Sequence, residues 1–162
     1  MITLVLGGAR SGKSSVAERL CQGEVTYVAT AVVPDDDADL AARVAQHKAR
    51  RPSSWATVEA SPSDVVAAVG GVPAGRTVLV DSLTTWVAGS ADFVVDADGF
   101  CAALVDRDAI VVSDEVGLGV HPSTEEGRVF RDRLGEVNRR VADVADRVLL
   151  VVAGRVLPLE RL

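Results

Sequence analysis

A chain of 162 residues with 48% hydrophobic content is long enough to bury a core, and we expect one domain over residues 1–162. Its formal net charge of −6 argues against nucleic acid as the main partner, because a phosphate backbone requires a basic surface. We expect no membrane span and no signal peptide, since the apolar runs are short. Cys21 and Cys101 lack metal-ligand spacing and fit free thiols in a reducing cytoplasm.

The first motif of the chain is a glycine-rich turn between a predicted strand and a predicted helix. It reads Gly-Gly-Ala-Arg-Ser-Gly-Lys-Ser, the phosphate-loop pattern. Glycines let backbone N–H groups wrap a polyphosphate, Lys13 neutralises the β and γ oxygens, and Ser14 offers a hydroxyl to Mg²⁺. The positive end of the helix points at the same anion. We expect nucleotide binding by Gly7, Gly8, Ala9, Arg10, Ser11, Gly12, Lys13 and Ser14.

A second strand is predicted at residues 25–29, where β-branched and aromatic residues follow a glycine break. The next segment carries three adjacent aspartates, 35–37. A run of like charges is more typical of a solvated loop than of a metal site, so we favour the loop. A helix is predicted at about 38–50, and Pro52 ends it.

One histidine of this predicted helix, His47, lies between an apolar and a basic stripe. Leu40 and Val44 share its face at helical spacing, as do Arg43 and Arg50. The residue is either a half-buried structural histidine or a nucleophilic or acid–base imidazole in a phosphate-binding patch. Spacing by itself favours the structural role.

A buried strand at 77–80, tipped by Asp81, is the next informative element. It follows a short strand at 57–59 and a helix that Pro62 opens and the glycine pair 70–71 ends. An apolar strand ending in a carboxylate commonly holds Mg²⁺ opposite a phosphate loop. Many such aspartates only cap a helix. Together with the phosphate loop, the pattern favours a metal ligand.

Residues 86–108 have a loose pattern, in which only 100–105 predicts a short helix. A buried strand at 109–113 follows, and 114–117 reads Asp-Glu-Val-Gly. Asp-x-x-Gly after a strand also marks the γ-phosphate switch of regulatory GTPases. The chain lacks an Asn-Lys-x-Asp motif for guanine, which argues against a regulatory GTPase.

The last part of the chain predicts a long helix at 124–144, a buried strand at 147–152 and an irregular tail at 154–159. His121 is expected at the surface. Continuous apolar strands alternating with helices predict a mostly parallel sheet covered on both faces. We therefore expect an α/β, three-layer P-loop NTPase (RecA-like) domain. Its ligands should lie at the carboxyl edge of the strands. Four segments are expected to converge on one site there: Gly7–Ser14, the loop after Ala29, Asp81 and Asp114-Glu115.

Most of the chain resembles one family, the bifunctional adenosylcobinamide kinase / adenosylcobinamide-phosphate guanylyltransferase of cobalamin biosynthesis. The motifs match it in order and spacing. They are Gly7–Ser14, Tyr27-Val28-Ala29-Thr30, Arg43, His47-Lys48, Arg51-Pro52, Trp55, Glu59, Asp81-Ser82-Leu83-Thr84, Glu115-Val116-Gly117-Leu118-Gly119, Phe130-Arg131-Asp132, Gly135 and Asn138.

The resemblance implies two reactions, with ATP and GTP as nucleotide substrates and Mg²⁺ as cofactor. A nucleoside triphosphate phosphorylates adenosylcobinamide, and GTP then passes GMP through a histidine to the phosphate, giving adenosylcobinamide-GDP. The matching histidine is His47, which the resemblance implies to be catalytic together with Lys13. It also implies a metal site at Ser14 and Asp81 and a homo-oligomer, expected to be a trimer. Further nucleotide-binding residues implied by it are Ala31, Val32, Val33, Lys48, Ala49, Arg50, Arg51, Glu59 and Asp81.

The chain departs from the family pattern in three places. The 86–108 region is short, Asp114 stands where Asn is more usual, and His121 stands where an aliphatic residue is expected. Two alternatives remain open at this point. One is a single-function P-loop small-molecule kinase with a structural His47, and the other is a GTP-binding regulatory protein.

Overall fold

The computed structural model describes residues 1–31, 42, 48, 49 and 51–161, and within them seven strands form one sheet. The strands are β1 (Ile2–Gly7), β2 (Val25–Ala29), β3 (Ala56–Glu59), β4 (Thr77–Asp81), β5 (Ala109–Asp114), β6 (Arg147–Val152) and β7 (Arg155–Leu159). Their order across the sheet is β3-β2-β4-β5-β1-β6-β7. All neighbouring pairs are parallel except β6 and β7, which are antiparallel.

Five α-helices lie within the described residues, together with one 3₁₀ turn at Ala91–Phe93. The helices are α1 (Lys13–Leu20), α2 (Val65–Gly70), α3 (Leu83–Ala88), α4 (Ala97–Leu104) and α5 (Glu125–Val144). Among these helices, none is both long and apolar enough to cross a membrane.

The sheet has an apolar core on each face, as the continuous apolar strands predict. The larger core joins residues of β1, β4 and β5 to side chains of α2 to α5, with Trp86 and Phe100 fully buried and their ring centroids 5.0 Å apart. The smaller core packs α1 against the other face through Val16 and Ala17. The α/β P-loop architecture expected from the sequence is therefore confirmed.

Two sequence predictions within 86–108 were wrong. No helix was predicted over 86–88, yet these residues belong to α3, which Ser82 starts with a capping box in which its hydroxyl accepts from the backbone N–H of Thr85. A helix was predicted only from residue 100. It begins at Ala97, because the Asp96 side chain accepts a hydrogen bond from Gly99 N at 2.8 Å.

The predicted tail at 154–159 was also wrong, since these residues include the antiparallel edge strand β7. Gly154 and Pro158 made the segment resemble a loop. Gly154 lies in the tight turn after β6, where it and Ala153 have φ values of 73° and 50°. Pro158 is tolerated because β7 is an edge strand, where one side of the backbone needs no partner.

The predicted helix at 38–50 lies largely outside the described residues. Within it, Ala42, Lys48 and Ala49 are helical, and all three are exposed. His47 and the aspartates at 35–37 lie outside the described residues.

Candidate nucleotide site

The turn between β1 and α1 is a tight loop whose geometry requires glycine at two positions. At Gly7, an added Cβ would lie 2.7 Å from the carbonyl oxygen of Val151 on the neighbouring strand β6. Gly12, just before α1, has φ of 93°, a conformation that side chains disfavour. The loop closes on itself through a hydrogen bond of 3.2 Å from Ser11 N to Gly8 O. Gly8, Ala9 and Arg10 at its tip are exposed.

The β6–β7 turn packs against this loop at Ser11 and Gly12. The backbone N–H of Gly154 donates to Ser11 O at 2.8 Å, and a Cβ at Gly12 would lie 3.5 Å from Gly154 Cα. The contact joins residues more than 140 positions apart, and the hairpin that makes it was not predicted from the sequence.

Lys13, the first residue of α1, is held at the carboxyl edge of the sheet by a carboxylate. Its Nζ lies 2.5 Å from Asp114 Oδ1 and 3.4 Å from the Gly8 carbonyl oxygen. The side chains of Lys13 and Asp114 are 13% and 22% exposed, so water screens the pair only in part. Lys13 therefore lies at the phosphate loop and is paired with Asp114, the last residue of β5.

Ser14 and Asp81 bring a hydroxyl and a carboxylate together, although 67 positions separate them. Ser14 Oγ lies 3.5 Å from Asp81 Oδ1, and the buried phenol of Tyr27 donates to Asp81 Oδ2 at 2.8 Å. Burial first, and then the negative charge of Asp81, raise the pKa of Tyr27 well above its ordinary value, so the phenol stays a donor.

The Ser14 hydroxyl and the Asp81 carboxylate are hard oxygen ligands of the kind Mg²⁺ prefers. No group of three or more His, Cys, Asp or Glu side chains suited to a metal occurs among the described residues. A Mg²⁺ ion with one carboxylate, one hydroxyl and substrate phosphates requires no such group.

Two basic residues lie on the β2–β3 side of this site. The guanidinium carbon of Arg51 lies 3.3 Å from the centroid of the Tyr27 ring, a cation–π contact. Lys48 Nζ lies 2.5 Å from Glu59 Oε1. The hydrogen bond from Lys48, followed by its charge, lowers the pKa of Glu59. Contacts therefore run continuously from Ser14 through Asp81 and Tyr27 to Arg51.

Comparison with known proteins identifies the chain. A family model described as cobinamide kinase / cobinamide phosphate guanyltransferase matches residues 3–159. The chain belongs to this family. It is therefore an enzyme, with the kinase and guanylyltransferase activities for which the family is named.

Two bacterial relatives match over nearly their whole length. The bifunctional adenosylcobalamin biosynthesis protein CobP of Pseudomonas aeruginosa is 39% identical, with 99% of this chain and 98% of the relative covered. The bifunctional adenosylcobalamin biosynthesis protein CobU of Salmonella typhimurium is 34% identical, with 95% of this chain and 97% of the relative covered.

A solved structure of a prototypical ATPase from a bacterial type III secretion system has a similar fold, with a TM-score of 0.53. The sequence identity is 13%, and the match covers 92% of this chain and 50% of that ATPase chain. At this identity the likeness concerns the fold alone.

Of the residues that the family resemblance assigns to nucleotide, the structure brings Lys13, Ser14 and Asp81 to one end of the sheet. Ala31 is half-buried and follows Thr30, whose backbone N–H donates to Asp81 O at 3.4 Å. Glu59 ends β3 in register with Ala29, which is in register with Asp81, so it lies at the same end of the sheet. Lys48 contacts Glu59, Arg51 contacts Tyr27, and Ala49 is exposed. Val32, Val33, His47 and Arg50 lie outside the described residues.

The side chains that connect these residues to one another carry no assignment from the sequence. Tyr27 was seen only as part of a motif. Asp114 was expected at the carboxyl edge of the sheet with the phosphate loop and Asp81, but it was given no role or partner there. The position of Asp114 at the end of a buried strand was the available signal. Its contact with Lys13 depends on β5 pairing with β1, which aligns Asp114 with Gly7.

Proposed function

We propose that the chain phosphorylates the aminopropanol hydroxyl of adenosylcobinamide, and that His47 carries GMP from GTP to the resulting phosphate. The product is adenosylcobinamide-GDP, an intermediate of cobalamin biosynthesis. The observation that supports this best is the full-length family match together with a formed phosphate loop whose lysine, serine and opposing aspartate converge.

In the kinase step, the loop holds the triphosphate of ATP or GTP. Its backbone N–H groups and the positive end of α1 face the phosphates, and the Lys13 ammonium neutralises the β and γ oxygens. When nucleotide binds, the Lys13 ammonium moves from Asp114 to the phosphates, because a triphosphate carries more negative charge than a single carboxylate. Gly7, Gly8, Ala9, Arg10, Ser11 and Gly12 supply the loop.

Ser14 and Asp81 would hold Mg²⁺, as their adjacent oxygens fit it. The ion supplies charge neutralisation on the phosphate oxygens when it is bound. Tyr27 fixes the orientation of the Asp81 carboxylate through its hydrogen bond to Oδ2. This leaves Oδ1 facing Ser14.

In the guanylyl step, an imidazole nitrogen of His47 attacks the α-phosphorus of GTP and pyrophosphate leaves. A phosphate oxygen of adenosylcobinamide phosphate then attacks the same phosphorus, and the N–P bond breaks. Lys48 follows His47 directly in the sequence, and Arg51, four positions after His47, lies against Tyr27, so cations neighbour the histidine along the chain. They would stabilise charge on the phosphate oxygens. Ala31, Val32, Val33, Ala49, Arg50 and Glu59 complete the proposed nucleotide contacts.

The test is covalent labelling with GTP carrying label at the α-phosphate, in the presence of Mg²⁺ and without corrinoid. We expect one label per site and release of pyrophosphate, with the label acid-labile and base-stable, as a phosphoramidate is. GTP labelled at the γ-phosphate should leave nothing on His47.

The chain supplies a matched control, because its other histidine is His121, an exposed residue whose Nδ1 lies 2.9 Å from Arg131. His47→Ala should abolish the label and His121→Ala should keep it. A wild-type protein that binds GTP but acquires no label would exclude the guanylyl intermediate. It would favour a single-function kinase instead.

We also propose that the protein is cytoplasmic and forms a homo-oligomer, a trimer. Leu118 and Val120 support self-association, since they are 83% and 96% exposed in the loop between β5 and α5. Sedimentation equilibrium measures the assembly, and a monomer at micromolar concentration would contradict the proposal.

A further inference from the structure

We infer that Thr30 is a positioning residue for phosphoryl transfer, because its buried hydroxyl fixes the strand end from which Asp81 reaches the metal. The inference rests on the Mg²⁺ site of the proposed function. Thr30 follows β2 directly, and none of the site assignments above gives it a role.

The first observation is that Thr30 holds the peptide group directly after Asp81. The backbone N–H of Thr30 donates to Asp81 O at 3.4 Å, and its Oγ1 accepts from Ser82 N at 2.9 Å. The same hydroxyl donates to Ser82 O at 2.6 Å. Because Thr30 and Ser82 are both buried, loss of the hydroxyl would leave polar backbone groups without this partner away from water. One side chain therefore fixes the backbone on the carboxyl side of Asp81.

The second observation is that the side chain of Asp81 is held from the same part of the chain. Tyr27, three residues before Thr30, donates to Asp81 Oδ2 at 2.8 Å, and Oδ1 lies 3.5 Å from Ser14 Oγ. Tyr27 orients the carboxylate, whereas Thr30 fixes the backbone that carries it. Groups that hold a metal ligand in place in this way tune the affinity for the metal.

The third observation is that the same hydroxyl reaches the helix that supports the neighbouring strand end. Thr30 Oγ1 lies 2.7 Å from Thr85 Oγ1, in the first turn of α3. In that turn, Thr84 Oγ1 accepts from Asp114 N at 2.8 Å, and Asp114 is the partner of Lys13. Contacts of Thr30 therefore extend from the carboxylate of the metal site to the strand end beside the phosphate-loop lysine.

The test measures the Kd for Mn²⁺ in the complex of the protein with a non-hydrolysable triphosphate, by the electron paramagnetic resonance signal of free Mn²⁺. Mn²⁺ prefers the same oxygen ligands as Mg²⁺. Wild type with Thr30→Val, and Thr30→Ser with Thr30→Ala, form two matched pairs that differ by the hydroxyl. In each pair, we expect loss of the hydroxyl to raise the Kd for Mn²⁺ about 10–100-fold. The Mg²⁺ concentration for half-maximal phosphorylation of adenosylcobinamide should rise by a similar factor.

Two controls separate positioning from general support of the fold. A loosened fold would also weaken triphosphate binding without metal, so this Kd is measured in EDTA and should stay within about threefold of wild type in every variant. Ser113→Ala removes another fully buried hydroxyl, at the same end of the sheet, which has no hydrogen-bond partner among the described residues. It should leave the Kd for Mn²⁺ within about threefold of wild type.

Equal Mn²⁺ affinity within both pairs would overturn the inference. So would a parallel loss of Mn²⁺ binding and metal-free triphosphate binding, because Thr30 would then support only the fold. If Thr30→Val does not fold, the serine and alanine variants decide the question. Asp81→Asn distinguishes the metal site from the role of Thr30. If it binds Mn²⁺ as tightly as wild type, the proposed metal site is wrong and the inference falls with it. If it binds Mn²⁺ more weakly while the pairs stay equal, only the role of Thr30 is refuted.

Discussion

Gly7→Ala tests the packing of the phosphate loop against the sheet. The added methyl group would lie 2.7 Å from the Val151 carbonyl oxygen, about 0.7 Å short of the 3.4 Å at which ordinary contact begins. It would also meet Ser11 Oγ at 2.5 Å and Ser11 Cβ at 3.3 Å, and rotation of the serine side chain would relieve only the first contact. The Val151 carbonyl cannot rotate away, because Gly7 and Val151 are aligned partners of the β1–β6 pairing. Strands β1 and β6 must therefore separate locally.

Overpacking of this kind costs about 1–3 kcal/mol of folding free energy. For a chain of this length, that corresponds to a decrease in Tm of roughly 2–12 °C. Urea unfolding and calorimetry measure the two quantities. Because the loop moves with the strand, the Kd for GTP should also rise.

Gly8→Ala is the matched control, one residue further along the same loop. Its added Cβ would meet no heavy atom of the described residues within 4 Å, so we expect a change in unfolding free energy within about 0.5 kcal/mol. If Gly7→Ala were as stable as wild type, or if both variants lost equal stability, the packing argument would be wrong.

Two further predictions concern the charged groups of the site. Tyr27→Phe removes the hydrogen bond to the Asp81 carboxylate, and we expect a loss of about 1.5–3 kcal/mol in unfolding free energy. The Mg²⁺ concentration for half-maximal activity should rise about 10–100-fold, and an unchanged Mg²⁺ titration would show that Tyr27 does not orient the ligand. Lys13→Ala should keep a cooperative thermal unfolding transition but raise the activation free energy that kcat/KM reports for phosphorylation by about 2–4 kcal/mol, whereas undiminished phosphorylation would contradict its role.

The sequence alone determined the features that depend only on residues close to one another along the chain. The phosphate loop could be predicted because strand, glycine turn and helix are adjacent, and each has its own local signal. The buried strand ending in Asp81 was evident for the same reason, since a short apolar run and its terminal carboxylate need no distant partner to be recognised. Continuous apolar strands alternating with helices were enough for a parallel α/β sheet.

Only the tertiary structure decided which groups meet across the sheet. Strand order placed β5 between β4 and β1, and this brings Asp114 against Lys13. The pairing of β2 with β4, which no local sequence pattern predicts, likewise brings Tyr27 to Asp81, 54 positions away. The edge strand β7 was missed because its glycine turn and its proline are loop signals in isolation. They become compatible with a strand when β6 supplies the pairing on one side and solvent lies on the other.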